Sequence, residues 1–343
     1  MPRKLNHATA LAWLLGLCFI LLLGIPAFAE LPGVEEVLGM DKGQIAELAQ
    51  GQPIAYALSE HSADELAEGV VWYIQVPLDK VVSQLRLENP DLLDDDITAL
   101  GLLTEHGGAS SLAPVVLSKE EAQALLDAEP GDEFNLSTHE IDSFKTLKKT
   151  LNRTPYRPIG DEVGQHYREL LFQRFKAYRR GGIHAIAPYA REESLFSKPS
   201  LELHEAAHTS AILTLYFPAL FKAWLDYPRT LPPGVSEVFP WVEKNVEGRP
   251  ATILRHRVNM DWNGGVLVLT REFYAPHSYN SSQWITGCLP YHNGTVVFQQ
   301  VRSYTDQVAG VASDAKHIVG RELLKDKMLK SFERLCEVLG QCH

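Results

Sequence analysis

Cysteine is scarce in this chain. Four in 343 residues, with Cys18 inside an N-terminal apolar run, cannot form the disulfide framework that holds small secreted domains together. Cys288 lies in a strand-like stretch, where a thiol packs as a small hydrophobe. Cys336 and Cys342 flank Gly340 and are spaced to close a short loop in an oxidising compartment. Positive charge is also short: 32 Lys and Arg against 43 Asp and Glu give a formal charge of −11. Nucleic acid and anionic membrane surfaces need a basic footprint, so both are excluded as expected partners. No Gly-rich phosphate loop follows a strand, and no Gly-x-Ser-x-Gly elbow or Cys-His pairing is visible, so nucleotide cofactors and the common hydrolase nucleophiles lack support. Beyond Ile25 no apolar run approaches the length of a membrane span.

The N-terminus reads as a secretory signal peptide over residues 1–29. Arg3 and Lys4 form a positive start, Ala10 to Ile25 is almost unbroken apolar sequence, and Ala27-Phe28-Ala29 is a small-x-small cleavage site. An uncleaved anchor is the alternative, and the run is near the lower limit for one. Cleavage takes the formal charge from −11 to −13 and leaves a periplasmic or secreted protein with no anchor. Residues 30–343 are long enough for a sizeable core, and with no flexible linker or internal repeat they predict one domain.

Its clearest element is a run of hairpins. Thr252–Trp262, Val266–Tyr274, Ser282–Tyr291 and Thr295–Tyr304 are rich in β-branched and aromatic residues. Asn263-Gly264-Gly265 and His292-Asn293-Gly294 carry the Asn-Gly pair that supplies positive φ to tight turns. From Ser313 the period changes: Ala315, Ile318/Val319, Leu324, Met328, Phe332, Leu335 and Leu339 recur at helical spacing for about seven turns before Gly340. Such a sheet and helix bury their apolar faces by packing on one another. Earlier, Val70–Val76 reads as a strand ended by Pro77, with a helix over Lys80–Leu87. Short helices are expected over Lys42–Gln50 and Lys119–Asp127. Asp94-Asp95-Asp96 lacks calcium-loop spacing and reads as a solvated helix start. A helical block occupies about 119–230, with Val163–Tyr178, Leu201–Phe217 and Ala219–Tyr227 as its main helices. The class is therefore α+β: a curved antiparallel sheet, a long C-terminal helix and a helical middle.

One chemical motif demands weighing. His204-Glu205-Ala206-Ala207-His208 matches HExxH, in which two His on one helix face bind zinc and Glu serves as general base. No downstream Gly-x-x-His supplies a third ligand, Pro228 and Pro240 interrupt the segments carrying later acids, and most of the sheet follows the motif rather than preceding it. Two His on an ordinary helix is the preferred reading. A zinc-dependent hydrolase using His204, Glu205 and His208 is the alternative.

Polar groups isolated on the apolar sheet face suggest a ligand pocket. His256 alternates with Met260 and Trp262 on one strand face. Tyr274, His277 and Tyr279 cluster where a strand is left, and Trp284 and Thr286 alternate on the next. These eight form the candidate cavity wall. Arg255 and Arg257 belong to the opposite face from His256, toward solvent or an acidic neighbour.

Val70–Val76 followed by Pro77-Leu78-Asp79-Lys80-Val81-Val82 resembles the opening of START-like (SRPBCC, helix-grip) domains, and the hairpins with the last helix resemble their close. Phe239-Pro240-Trp241 through Arg271-Glu272-Phe273-Tyr274-Ala275-Pro276-His277 also resembles an uncharacterised family of exported bacterial proteins. The resemblance spans about 70–87 and 234–339 and leaves the helical middle unaccounted for. It implies a helix lying across the concave side of the sheet over an apolar ligand, with no catalytic residue or cofactor to carry over. The expectation is thus non-covalent binding of a hydrophobic small molecule or lipid without catalysis. A structural protein that fills the cavity with its own side chains is a further alternative.

Overall fold

Four long strands and one long helix lie where periodicity put them. The structure, a computed structural model, describes residues 34–87, 96–131, 133–153 and 159–340. The expected signal peptide, Asp94 and Asp95 of the acidic run, and Cys342 lie outside the described residues. Strands β1 (Ile54–Ala57), β2 (Glu65–Ile74), β3 (Ile97–Leu102), β6 (Ser236–Val238), β7 (Pro240–Val246), β8 (Arg249–Trp262), β9 (Gly265–Tyr274), β10 (Ser281–Tyr291) and β11 (Gly294–Tyr304) form one nine-stranded antiparallel sheet. Its order is β1-β2-β11-β10-β9-β8-β7-β3, with β6 paired to β8. A small ribbon, β4 (Tyr189–Ala190) with β5 (Phe196–Ser197), stands apart.

The helices are α1 (Val34–Leu38), α2 (Lys42–Leu48), α3 (Leu78–Arg86), α4 (Lys119–Leu126), α5 (Thr138–Leu151), α6 (Ile159–Gly181), α7 (Pro199–His208), α8 (Ala211–Tyr216), α9 (Pro218–Leu225) and α10 (Ser313–Leu339). The helix expected over Leu201–Phe217 is broken. It stops at Thr209, and Ser210 caps a fresh start by accepting from Leu213 N. The strand expected from Val70 begins five residues earlier, at Glu65, and β1 lies where no strand is expected.

Turn chemistry explains the hairpins. Asn263 and Gly264 both have positive φ, +52° and +83°, as a two-residue turn between β8 and β9 requires. At the next hairpin positive φ falls on His292 (+48°), not on the glycine. Gly294 instead allows close approach, since a Cβ there would lie 2.3 Å from Ile74 O.

The long strands β2 and β8–β11 alternate between two covered faces. Val266 and Val268 of β9, with Val70, Cys288, Val297 and Val301, pack against Met328, Phe332 and Leu335 of α10 and Val81 and Leu85 of α3. Leu267 and Leu269, with Val71, Val258, Ile285 and Phe298, pack against Ala207, Leu213, Phe217, Leu220 and Trp224 of α7–α9. A third cluster joins α4–α6 to Trp241, Leu254, Phe273 and Tyr274. The sheet is thus the middle layer, with the helical segment on one side and α10 and α3 on the other. Cys288 is buried and free, and Cys336 is disulfide-bonded. No helix among the described residues is long and apolar enough to cross a membrane.

Candidate functional site

The α10 side of the sheet changes character along its strands. Register places Trp72, Val297, Cys288 and Val266 in one cross-strand row and Val70, Gln299, Thr286 and Val268 in the next. Then follow Glu68, Val301, Trp284 and Thr270, and finally Leu66, Ser303, Ser282, Glu272 and Arg255. Only the apolar end can hold a helix by dry packing. Accordingly all the buried residues of α10, Met328, Phe332 and Leu335, lie in its second half.

Over the polar row α10 leaves a cavity of about 540 Å³. Its floor includes Leu66, Ser303, Ser282 and Trp284. Lys244 and Val246 of β7 with Tyr279 form one side, and Val319, Gly320, Leu323, Leu324 and Lys327 form the roof. Val319 and Leu323 are 59% and 66% exposed, so the roof carries apolar side chains that the fold itself does not bury. A volume in this range suits a small-molecule ligand.

Glu272 is the charged centre of the floor. Arg255 reaches its Oε1 through Nε (3.0 Å) and a terminal nitrogen (2.8 Å), and the Tyr279 hydroxyl donates to Oε2 (2.7 Å). Burial alone would raise this carboxyl. Arg255, Lys244, the Tyr279 hydroxyl and Lys327 outweigh burial and hold it below the usual carboxylate range. Beside it two buried polar atoms have no hydrogen-bond partner among the described residues: Ser282 Oγ and the indole Nε1 of Trp284.

Of the eight residues expected to wall the cavity, Tyr279 and Trp284 do so. Thr286 shares the α10 face but sits beyond the wall, accepting from Gln299 Nε2 (3.1 Å). His277 is held between Pro250 O (3.1 Å) and Ser278 Oγ (2.9 Å) in a separate crevice. The other four lie on the opposite face. Tyr274 is buried beneath the Arg174 guanidinium (4.3 Å), Met260 packs on the α7–α9 cluster, and Trp262 meets Phe217 edge to face (4.9 Å).

His256 is fully buried among Tyr178, Trp224, Tyr227 and Phe239. It links Tyr178 OH (2.9 Å) to Glu237 Oε2 (3.0 Å), and Arg271 donates to the same tyrosine oxygen (3.0 Å). Burial drives it down to about 4 against the pull of Glu237, so it is a neutral polar strut. Arg255 and Arg257 do lie on the other face. Arg255 finds its acid in Glu272, and Arg257 donates to Leu85 O (2.5 Å).

His204 and His208 are neighbours on one side of α7, with ring centres 4.5 Å apart and planes tilted by 47°, and His208 meets Phe221 edge to face. Among the described residues no group of three or more His, Cys, Asp or Glu is disposed to hold a metal ion.

Sequence reasoning missed Lys244, Glu272, Ser282, Ser303 and Lys327 in the wall. Ser282 was within reach, because it alternates with Trp284 and Thr286 on one strand. No protein-family model matches the chain, and no curated protein matches its sequence.

Proposed function

We propose that the chain binds a hydrophobic small molecule or lipid in the space between the sheet and the first half of α10, without catalysing a reaction. It would do so as an exported protein of helix-grip, START-like design. The observation that carries this reading is the pairing of a cavity of about 540 Å³ with roof residues Val319 and Leu323 left largely exposed. Covering roughly 200 Å² of apolar ligand surface supplies about 5 kcal/mol before the costs of association. The polar floor then fixes orientation.

The test is titration of the purified protein with the neutral dye Nile red, with solvent extraction and mass spectrometry of the native protein. Saturable binding lost in Ser303→Phe, which fills the floor, is expected. A folded protein that yields no extractable ligand and binds no apolar probe would overturn the proposal.

A further inference from the structure

The first half of α10 is held differently from the second. None of residues 313–327 is buried, and the helix starts after Ala312 without a side-chain cap. Gly320 rests on Leu66, and Leu324 joins the apolar layer only at its edge. A polar tie is added in the opening turns. His317 spans two oxygens of the segment ahead of β2: its Nδ1 lies 2.7 Å from Glu60 Oε2 and its Nε2 lies 3.0 Å from Ala63 O. One turn on, Arg321 donates to the same Glu60 oxygen (3.3 Å). Lys316 Nζ donates to Ala309 O (3.1 Å), within the approach to the helix itself.

Both partners of His317 are acceptors. A backbone carbonyl cannot donate, and neither can an ionised carboxylate, so only an imidazolium, with an N–H on each nitrogen, makes the two bonds together. A neutral ring turns a lone pair on one of the two oxygens, and that contact is lost. Burial works against the charge, but Ala63 O and Glu60 outweigh it and hold the ring above its ordinary range, with Arg321 opposing from the same helix. Glu68 of β2 lies within reach of Arg321, Lys325, Glu322 and Glu60, and burial pushes its carboxyl up to about 7.

The stretch that His317 ties down is the one that roofs the cavity with Val319, Gly320 and Leu323. Resting on the cavity-binding reading, we propose that His317 is a proton-operated latch on this roof. Protonated, it pins the first half of α10 to residues 60–63 and keeps a guest enclosed; neutral, it lets that half lift and the guest exchange. The latch is complete below about 6.5, the ordinary imidazole value. It is lost as pH rises through the higher value of the seated state.

Hydrogen exchange read by mass spectrometry on the full chain tests it, following residues 313–324 at pH 6 and pH 9 with correction for faster intrinsic exchange at high pH. Release of Nile red is timed in parallel. In wild type, exchange of this stretch and dye release should each rise roughly tenfold between the two pH values, while residues 328–335 hold. His317→Arg keeps a charge and more than one donor, and should stay slow at both. His317→Ala should be fast at both, and the uncharged His317→Gln replaces it if the alanine variant does not fold. Glu68 titrates over the same range, so Glu68→Gln should leave the response in place. Equal opening of wild type at both pH values overturns the latch. So does a response that persists in His317→Ala or vanishes in Glu68→Gln. Dye release that ignores pH while the helix responds overturns the gating alone. An intact exchange response with no dye binding removes the cavity reading, and the gating with it.

Discussion

Leu66 of β2 and Gly320 of α10 are pressed together where the helix crosses the sheet: a Cβ on residue 320 would lie 2.6 Å from Leu66 Cδ1. Both residues line the cavity. A bare helix residue therefore sets the height of the roof at this crossing.

Gly320→Ala tests that relationship. Alanine favours the helix by about 1 kcal/mol, and the tip of Leu66 must turn away into the cavity. Stability within about 1 kcal/mol of wild type, with weaker Nile red binding, is the expected pair of results in denaturant and dye titrations.

The two halves of α10 should respond oppositely to substitution. Met328→Ala and Phe332→Ala empty a buried layer and should cost about 2–5 kcal/mol each. Leu323→Ser, at a largely exposed site, should change stability by less than about 0.5 kcal/mol while lowering probe affinity. Urea midpoints measured beside dye affinity separate the effects.

Glu272→Gln leaves the Arg255 guanidinium buried without its counter-charge. A loss of about 3–5 kcal/mol is expected. Arg255→Met combined with Glu272→Leu should recover most of it, as a double-mutant cycle by chemical unfolding would show.

Glu202 of α7 supplies a dependence on pH. It accepts from Ser281 Oγ (2.6 Å) and Asn280 Nδ2 (3.1 Å), and burial pushes its carboxyl up to about 7 despite those bonds. Between pH 4.5 and 7 the folded state therefore holds a proton that the unfolded chain has released, and its contribution to stability falls as pH rises. Glu202→Gln keeps a neutral group there. The variant should match wild type near pH 5 and exceed it near pH 8, by on the order of 1–3 kcal/mol. Paired thermal melts across that range check the sign.

Much of this architecture was legible because turn and period agreed. Asn263-Gly264 marks one hairpin, alternation in β8–β11 gives every long strand to within a few residues, and the shift to helical spacing at Ser313 locates α10. Short strands were not. β1, β3 and β7 are four to seven residues of mixed polarity, and β7 opens on a proline. Helix α5 had a usable mark, the capping box from Ser137 to Glu140, that went unread. The misplaced cavity residues have a different cause. Alternation tells which residues share a face but not which helix covers it. Here both faces are apolar because both are covered, so His256, Met260 and Trp262 lie on the face under the helical segment while Trp284 and Tyr279 line the space under α10.

Cys288 is sealed in the dry layer under α3 and α10, and burial pushes its thiol up to about 11. At pH 8 only about one molecule in a thousand would carry the thiolate that alkylating reagents attack. Any modification of this sulfur in native protein must await departure of the helices above it. The chain thus holds its own stopwatch for the moment its outer layer comes off, readable by mass at a cysteine it already carries.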